Sequence, residues 1–268
     1  MSERSVDARE VALLDAIRAA GREVLSYLTA PARLEVGRKG PQDFVSAADS
    51  AVERLLKERL LGAFPTDDFL GEETAGKGSG RVGARLWVVD PIDGTANFVR
   101  LMPHFCISVA FLCEGEMTLG AILDPVRDEL YVARRGHGAT RNGASITVAP
   151  TRAMNEAMVE IGWSPRIQNA RYLTLLGNVL AAGPSVRRGG SGALGLAYVA
   201  DGRSDAYAEL HINAWDCLAG LLLVREAGGR ISPFLASGGL ALGGPVLAAT
   251  PGIADAMSEL TGISLEES

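Results

Sequence analysis

The sequence predicts a mixed α/β fold, and three observations carry that prediction. Two amphipathic stretches near the N-terminus have helical periodicity, a block of short apolar runs follows between Leu86 and Ala133, and from Met158 onward strand and helix signals alternate. With 268 residues the chain can bury a substantial core, and 47% hydrophobic with 22% charged residues is an ordinary globular balance.

The elements follow in chain order. Val11 to Tyr27 reads as the first helix. Ala47 to Leu61 reads as the second, with Val52, Leu55, Leu56 and Leu60 on one face and Ser46 and Asp49 spaced as a capping box at its start. Leu70-Gly71-Glu72-Glu73 follows Phe64-Pro65 as a strand or turn. Strands are predicted near Leu86–Val89, Phe105–Leu112, Met117–Leu123 and Glu129–Ala133. The second half predicts a strand at Met158–Ile161, a helix at Asn169–Ala181, a strand at Ser185–Arg188, a helix at Gly192–Val199, a strand at Asp205–Glu209 and a helix at Trp215–Ala227. Gly202 and the Gly228-Gly229 pair supply helix stops. No repeat or low-complexity linker is visible, so one compact unit is expected, softly divided near Pro150 into lobes of residues 1–150 and 151–268.

Composition excludes several function classes. The formal net charge of -6 disfavours general nucleic-acid binding. Charge or glycine interrupts every long apolar stretch before a membrane span is reached, and the charged segment Met1 to Glu10 has no apolar signal core. Three cysteines without framework spacing fit a reducing compartment, so a cytoplasmic location is expected. Cys106 and Cys113 lie in an apolar run that reads as buried and inert, whereas Cys217 opens a helix, where its pKa is open to lowering. His104 and His137 read as ordinary loop residues, and His211 falls near the expected substrate wall. Arg187-Arg188 reads either as a basic rim for an anion or as a solvated pair.

The most informative segment is Trp87-Val88-Val89-Asp90-Pro91-Ile92-Asp93-Gly94-Thr95-Ala96-Asn97-Phe98, an apolar run ending in two aspartates spaced i, i+3 and closed by Gly-Thr. Carboxylates beside free backbone N–H groups can hold cations next to a phosphate. Taken singly, each feature has a plainer reading: Asp-Pro and Asp-Gly mark turns, paired glutamates such as Glu72-Glu73 are commonly a solvated face, and Asp216 suits the first turn of a helix.

Together, Gly71-Glu72-Glu73, Asp90-Pro91-Ile92-Asp93-Gly94-Thr95 and Trp215-Asp216 resemble the inositol monophosphatase family of magnesium-dependent, lithium-sensitive phosphatases. Lys39 with Asp43 to Asp49, Arg187 to Gly192, and Asp205 to Glu209 extend the likeness from about Val11 to about Gly262. The resemblance implies a layered αβαβα sandwich with an N-terminal lobe carrying the metals, and a homodimer, which the family often forms. It implies a first Mg²⁺ on Glu72, Asp90 and the Ile92 carbonyl, and a second on Asp90, Asp93 and Asp216. An all-oxygen set without clustered Cys or His suits such a hard cation.

The resemblance further implies a water nucleophile whose proton goes to Glu72 directly or through a neighbour, oriented by Thr95 with Asp49. Gly94 and Thr95 would meet the phosphate; Gly190, Ser191 and Glu209 would meet the rest of the substrate. A carboxylate accepting from adjacent hydroxyls favours a polyol phosphate, inositol 1-phosphate first. Histidinol phosphate is the alternative. Ala96-Asn97-Phe98 after Thr95 is less like the nucleotide bisphosphatases, which together with fructose 1,6-bisphosphatase come third. A catalytically silent phosphate- or metal-binding regulator is the non-enzyme alternative; its signature, a missing ligand, is not seen at Glu72, Asp90, Asp93 or Asp216.

Overall fold

Charged residues can hide the inward face of a helix, and the first helix is a case in point. The computed structural model describes residues 2–29, 36–40, 43–75 and 83–266, of which 38–40 and 43–45 are described in the backbone alone, so the side chains of Lys39, Asp43, Phe44 and Val45 lie outside the described residues. Helix α1 (Glu3–Thr29) begins well before the expected Val11. The cause is Arg9, only 4% exposed, whose guanidinium lies on the buried face. It donates to both oxygens of Asp67 at 2.7 Å and stacks 4.2 Å from the Phe64 ring centroid. A paired arginine therefore stands where periodicity calls for an apolar residue.

A hairpin of β1 (Val36–Gly40) and β2 (Asp43–Ser46) leads into α2 (Ala47–Ala63), which opens on the expected Ser46/Asp49 capping box. A seven-stranded sheet follows. Its strands are β3 (Asp68–Gly71), β4 (Arg85–Asp93), β5 (Cys106–Cys113), β6 (Glu116–Asp124), β7 (Glu129–Arg134), β8 (Gly138–Arg141) and β9 (Ala144–Ser145), in spatial order, with a single helical turn α3 (Thr95–Phe98) between β4 and β5. Only the β3/β4 pair is parallel.

The second sheet collects β10 (Met158–Ile161), β11 (Ser185–Arg187), β12 (Ala206–Ile212), β13 (Arg230–Ile231) and β14 (Gly244–Ala249) in the order β11-β10-β12-β14-β13. Between its strands run α4 (Asn169–Ala181), α5 (Gly192–Ala200), α6 (Ala214–Glu226) and the short α7 (Gly239–Leu242), and α8 (Pro251–Thr261) follows β14. Expected and observed bounds coincide for β10 and α4 and, apart from the early start of α1, differ by a few residues for the other expected elements. Beyond Gly229 the structure adds elements that the sequence analysis does not predict: β13, α7 and β14, short segments with little periodicity of their own, and the helix α8.

Strand alternation sorts the side chains into layers. In β4, Trp87 and Val89 face α1 and α2 with Leu13, Ile17, Val52, Leu56 and Phe111, whereas Leu86 and Val88 face α5 and α6. On the far side of the second sheet, Val159, Ile161 and Leu247 pack against Leu175 and Val179 of α4 and Ile253 and Met257 of α8. Each fully buried large side chain contributes about 1.5–3 kcal/mol. The result is the expected αβαβα order, with α5 and α6 as the middle layer shared by both sheets. Gly120 lets β6 and α6 meet closely: a Cβ there would lie 2.9 Å from the Ala219 carbonyl oxygen of α6.

Candidate active site

Strict alternation would put Asp90 and Asp93 on opposite faces of β4. The strand does not end at Val89 as expected but runs on through Asp93, and its register against β5 slips between Asp90, opposite Ser108, and Asp93, opposite Cys106. Three residues on β4 thus span what two span on β5. This is a β-bulge, and it takes up Pro91, which has no N–H for the ladder. Both carboxylates then reach the same place, where α6 brings Asp216; one oxygen from each of Asp90, Asp93 and Asp216 lies within 4.8 Å of the others.

Asp216 is held by its own helix. Its Oδ2 accepts from the backbone N–H (2.9 Å) and side-chain amide (3.2 Å) of Asn213, a capping box at the start of α6. Asp49 repeats the device on α2: Oδ2 accepts from the N–H (2.7 Å) and hydroxyl (2.6 Å) of Ser46. Its Oδ1 faces the Thr95 hydroxyl at 3.2 Å. That hydroxyl also lies 3.0 Å from the Ile92 carbonyl oxygen, so one proton has two acceptors. Asp90 Oδ1 accepts the Ile92 N–H at 2.9 Å.

The electrostatics follow from burying acids together. Burial first, then the charges of Glu72, Asp93 and Asp216, push the Asp90 carboxyl well above the usual range. Burial, then Asp93 and Glu72, do the same to Asp216. Asp93 is raised by burial but relieved by four donors: the Ser191 hydroxyl at 2.5 Å, Ala193 N–H at 2.7 Å, Gly192 N–H at 3.3 Å and the Cys106 thiol at 3.7 Å. Asp49 is raised to about 6, chiefly by burial. Carboxylates packed this closely call for a hard cation to offset them, and among the described residues no His or Cys belongs to the cluster.

An open cavity of about 970 Å³ lies over these acids; its walls include Glu72, Asp93, Gly94, Thr95, Gly190, Ser191, Glu209 and Asp216. Every candidate site residue named from sequence is therefore at this cavity or directly beneath it. Glu72 lines the wall but belongs to no three-acid cluster among the described residues. Ile92 is buried, and its carbonyl meets Thr95. Gly94 has φ 95°, and a Cβ there would lie 3.1 Å from the His104 carbonyl oxygen and 3.3 Å from that of Gly190. A glycine is needed because two loops converge on it. The helix that follows is a single turn, so backbone approach matters more here than a helix dipole.

Glu209 sits on β12, not at a surface turn. Its Oε2 accepts the Tyr207 hydroxyl at 2.6 Å, and burial raises its carboxyl to about 7, against the lowering influence of Arg188 and Arg166. Arg188, its guanidinium 5.8 Å from the Trp163 ring centroid, and Arg166 both line the cavity, so the basic rim includes Arg188. Arg187 turns instead to Glu160, 3.4 Å away.

Two sequence expectations are corrected. Cys217, open to a lowered pKa at a helix start, is fully buried with its thiol pushed well up by burial and by Asp216. His104, read as an ordinary loop residue, is half-buried against Tyr198, and burial lowers its pKa. Cys106 is buried as expected, its thiol raised. The sequence reading missed the parts played by Asn97, Glu160, Trp163, Tyr207 and Asn213. Only the Asn213-x-x-Asp216 spacing and the same-face pair Tyr207/Glu209 carried a local signal.

A five-layered αβαβα sandwich with buried carboxylates at the floor of a polar cleft defines a phosphoric monoester hydrolase of a generally metal-dependent kind. The chain belongs to the inositol monophosphatase family, whose profile matches residues 6–264. It is 41% identical to Nus factor SuhB of Xylella fastidiosa over 83% of this chain and 80% of that protein. It is 39% identical to inositol-1-monophosphatase of Rhizobium meliloti over 92% and 94%. The crystal structure of extragenic suppressor protein suhB from Bartonella henselae superimposes with a TM-score of 0.86 at 32% identity, covering 94% of this chain and 97% of that one. No helix among the described residues is long and apolar enough to cross a membrane.

Proposed function

We propose that this chain is a Mg²⁺-dependent phosphomonoesterase whose substrate is a small polyol phosphate, inositol 1-phosphate first. The observation that carries the reading is the convergence of Asp90, Asp93 and Asp216 on one point within 4.8 Å, beside the Thr95–Asp49 pair. These three acids, with Glu72 and the Ile92 carbonyl, would hold the metal. When bound, Mg²⁺ offsets the charge of the phosphate dianion and makes water a better nucleophile.

The chain's own residues do the rest. Thr95 donates its hydroxyl hydrogen bond to Asp49 Oδ1 or to the Ile92 carbonyl, leaving its lone pairs to accept from and orient a water. Glu72 on the wall takes the water's proton, directly or through a neighbour, and Asp49, whose carboxyl burial raises to about 6, holds the Thr95 hydroxyl. Gly94 brings the backbone close to the phosphate, while Gly190, Ser191 and Glu209 meet the alcohol portion. Glu209 supports a polyol over histidinol phosphate: Arg188 and Arg166 share its end of the cavity, and their positive charge is a poor setting for an ammonium group. The relative named inositol-1-monophosphatase supports the same choice. Lithium inhibition, a cytoplasmic location and a homodimer belong with this reading.

The deciding experiment compares kcat/KM for inositol 1-phosphate, histidinol phosphate, fructose 1,6-bisphosphate and 3′-phosphoadenosine 5′-phosphate, each with Mg²⁺ and with EDTA. Highest turnover of the first, abolished by EDTA, is the expected result. Preference for another substrate overturns the substrate, and metal binding without phosphate release from any of them overturns the enzyme.

A further inference from the structure

Gly189 is gripped at both ends. Its N–H donates to Glu160 Oε1 at 2.7 Å, and its carbonyl accepts from the Asn97 side-chain amide at 3.0 Å. The second hydrogen of that amide goes to the His104 carbonyl at 2.7 Å. A Cβ at Gly189 would lie 2.3 Å from His104 Nε2 and 2.6 Å from Glu160 Oε1, so either side chain would have to leave its place to admit one. Asn97 belongs to the turn that carries Thr95, and Glu160 to β10 in the second sheet. The residue they hold begins the loop that continues through Gly190, φ 81°, to Ser191, whose hydroxyl reaches Asp93.

We propose that Asn97 and Glu160 are positioning residues that clamp Gly189, and through it set where Ser191 and Gly192 stand relative to Asp93 and the substrate. Neither acts on substrate itself. Both Asn97 amide hydrogens are engaged by carbonyls, and Glu160, 1% exposed, has one oxygen on Gly189 and the other 3.4 Å from Arg187 Nε. Glu160 is a carboxylate buried on the cavity's inner wall, where an apolar residue would be the cheaper occupant, unless its acceptor oxygen is required. The clamp also joins two regions 92 residues apart in sequence, so the metal-bearing turn and the substrate loop are set by one another.

This inference rests on the role proposed above for the Gly190–Ser191 loop, and its test separates the two. The full-length variants Asn97→Ala, Glu160→Ala and Glu160→Gln are compared by steady-state kinetics on inositol 1-phosphate and by amide hydrogen exchange of residues 189–193. Glutamine keeps an oxygen for the Gly189 N–H, and Arg187, whose side chain is 38% exposed, can turn to solvent. The two alanine variants should raise KM about tenfold or more with kcat changed much less, and should speed exchange of the loop amides by a similar factor. Glu160→Gln should stay near wild type in both readouts. Unchanged exchange in the alanine variants overturns the clamp, as does faster exchange with unchanged KM. Equal losses in Glu160→Gln and Glu160→Ala, in step with a lowered Tm, mark a merely structural role and overturn it as well. Should the wild type turn over a different monoester of the panel, the substrate assignment fails on its own, and KM for that monoester then tests the clamp.

Discussion

The Tyr207 hydroxyl donates to Glu209 Oε2 at 2.6 Å, two residues along the same face of β12. The Tyr207 hydroxyl thus holds one oxygen of a carboxylate that lines the cavity, on the side that Arg188 and Arg166 share. Glu209→Gln should lower kcat/KM for inositol 1-phosphate roughly ten- to a hundredfold, the cost of a charged hydrogen bond of about 1.5–3 kcal/mol, while 4-nitrophenyl phosphate is nearly unaffected. With Glu209 at about 7, the ratio of polyol to aryl kcat/KM should climb as pH rises through that value. In Tyr207→Phe, which removes a donor that lowers this pKa, the climb should move to higher pH. Equal losses on both substrates would instead place Glu209 in the metal site.

Asp93 has two employments, in the acid cluster and as acceptor for the start of α5. Asp93→Asn keeps an oxygen for Ser191 and the α5 amides but removes a charge, so the fold should survive while kcat falls by two or more orders of magnitude. Circular dichroism and a Mg²⁺ titration of kcat check this. Near-normal turnover at saturating Mg²⁺ would take Asp93 out of the site.

The raised acids make stability depend on pH in a definite direction. Asp49 at about 6, Glu209 at about 7, and the upward-shifted Asp90, Asp93 and Asp216 all bind protons more tightly folded than unfolded. Their stabilising contribution is complete below the unfolded carboxylate range and is lost as pH rises through the folded values. In EDTA, Tm should therefore be higher near pH 6 than near pH 8, by about 2–4 °C for each kcal/mol involved. Mg²⁺ should raise Tm more at pH 8 than at pH 6, because protons compete for the same oxygens. Differential scanning calorimetry at the two pH values, with and without metal, would show no such difference if the folded acids titrated in the ordinary carboxylate range.

Arg9 is remote from the cavity and tests the fold alone. Arg9→Met breaks a bidentate buried pair and should cost about 3 kcal/mol, since Asp67 keeps Arg85 at 2.9 Å as a second partner. Arg85→Met should cost less than about 1 kcal/mol, because the Arg85 side chain is 41% exposed. Denaturant unfolding gives both numbers, and kcat of the folded protein should not change in either.

What was legible in the sequence was local. Helical and strand periods are set by near neighbours, and the capping box at Ser46/Asp49 spans only four residues of chain; both are therefore legible without the fold. The acids were legible because the Asp90-Pro91-Ile92-Asp93-Gly94-Thr95 run, Glu72 and Trp215-Asp216 form a pattern that a family shares. The extent of α1 was not, because the partner that lets Arg9 be buried, Asp67, lies 58 residues away.

The site's geometry needed tertiary structure throughout. Nothing in the order Asp90, Pro91, Ile92, Asp93 says that both carboxylates share a face; the slipped register against Ser108 and Cys106 of β5 decides it. Nor does the local chain say that Glu209 is half-buried against Tyr207, that Arg188 lies over Trp163, or that Gly189 is held by Asn97 and Glu160. Sequence by itself determined which chemical groups were available and what local structure each began. Tertiary structure decided which of them meet, because the pKa of an acid, the reach of an amide and the room for a Cβ depend on atoms contributed by distant parts of the chain.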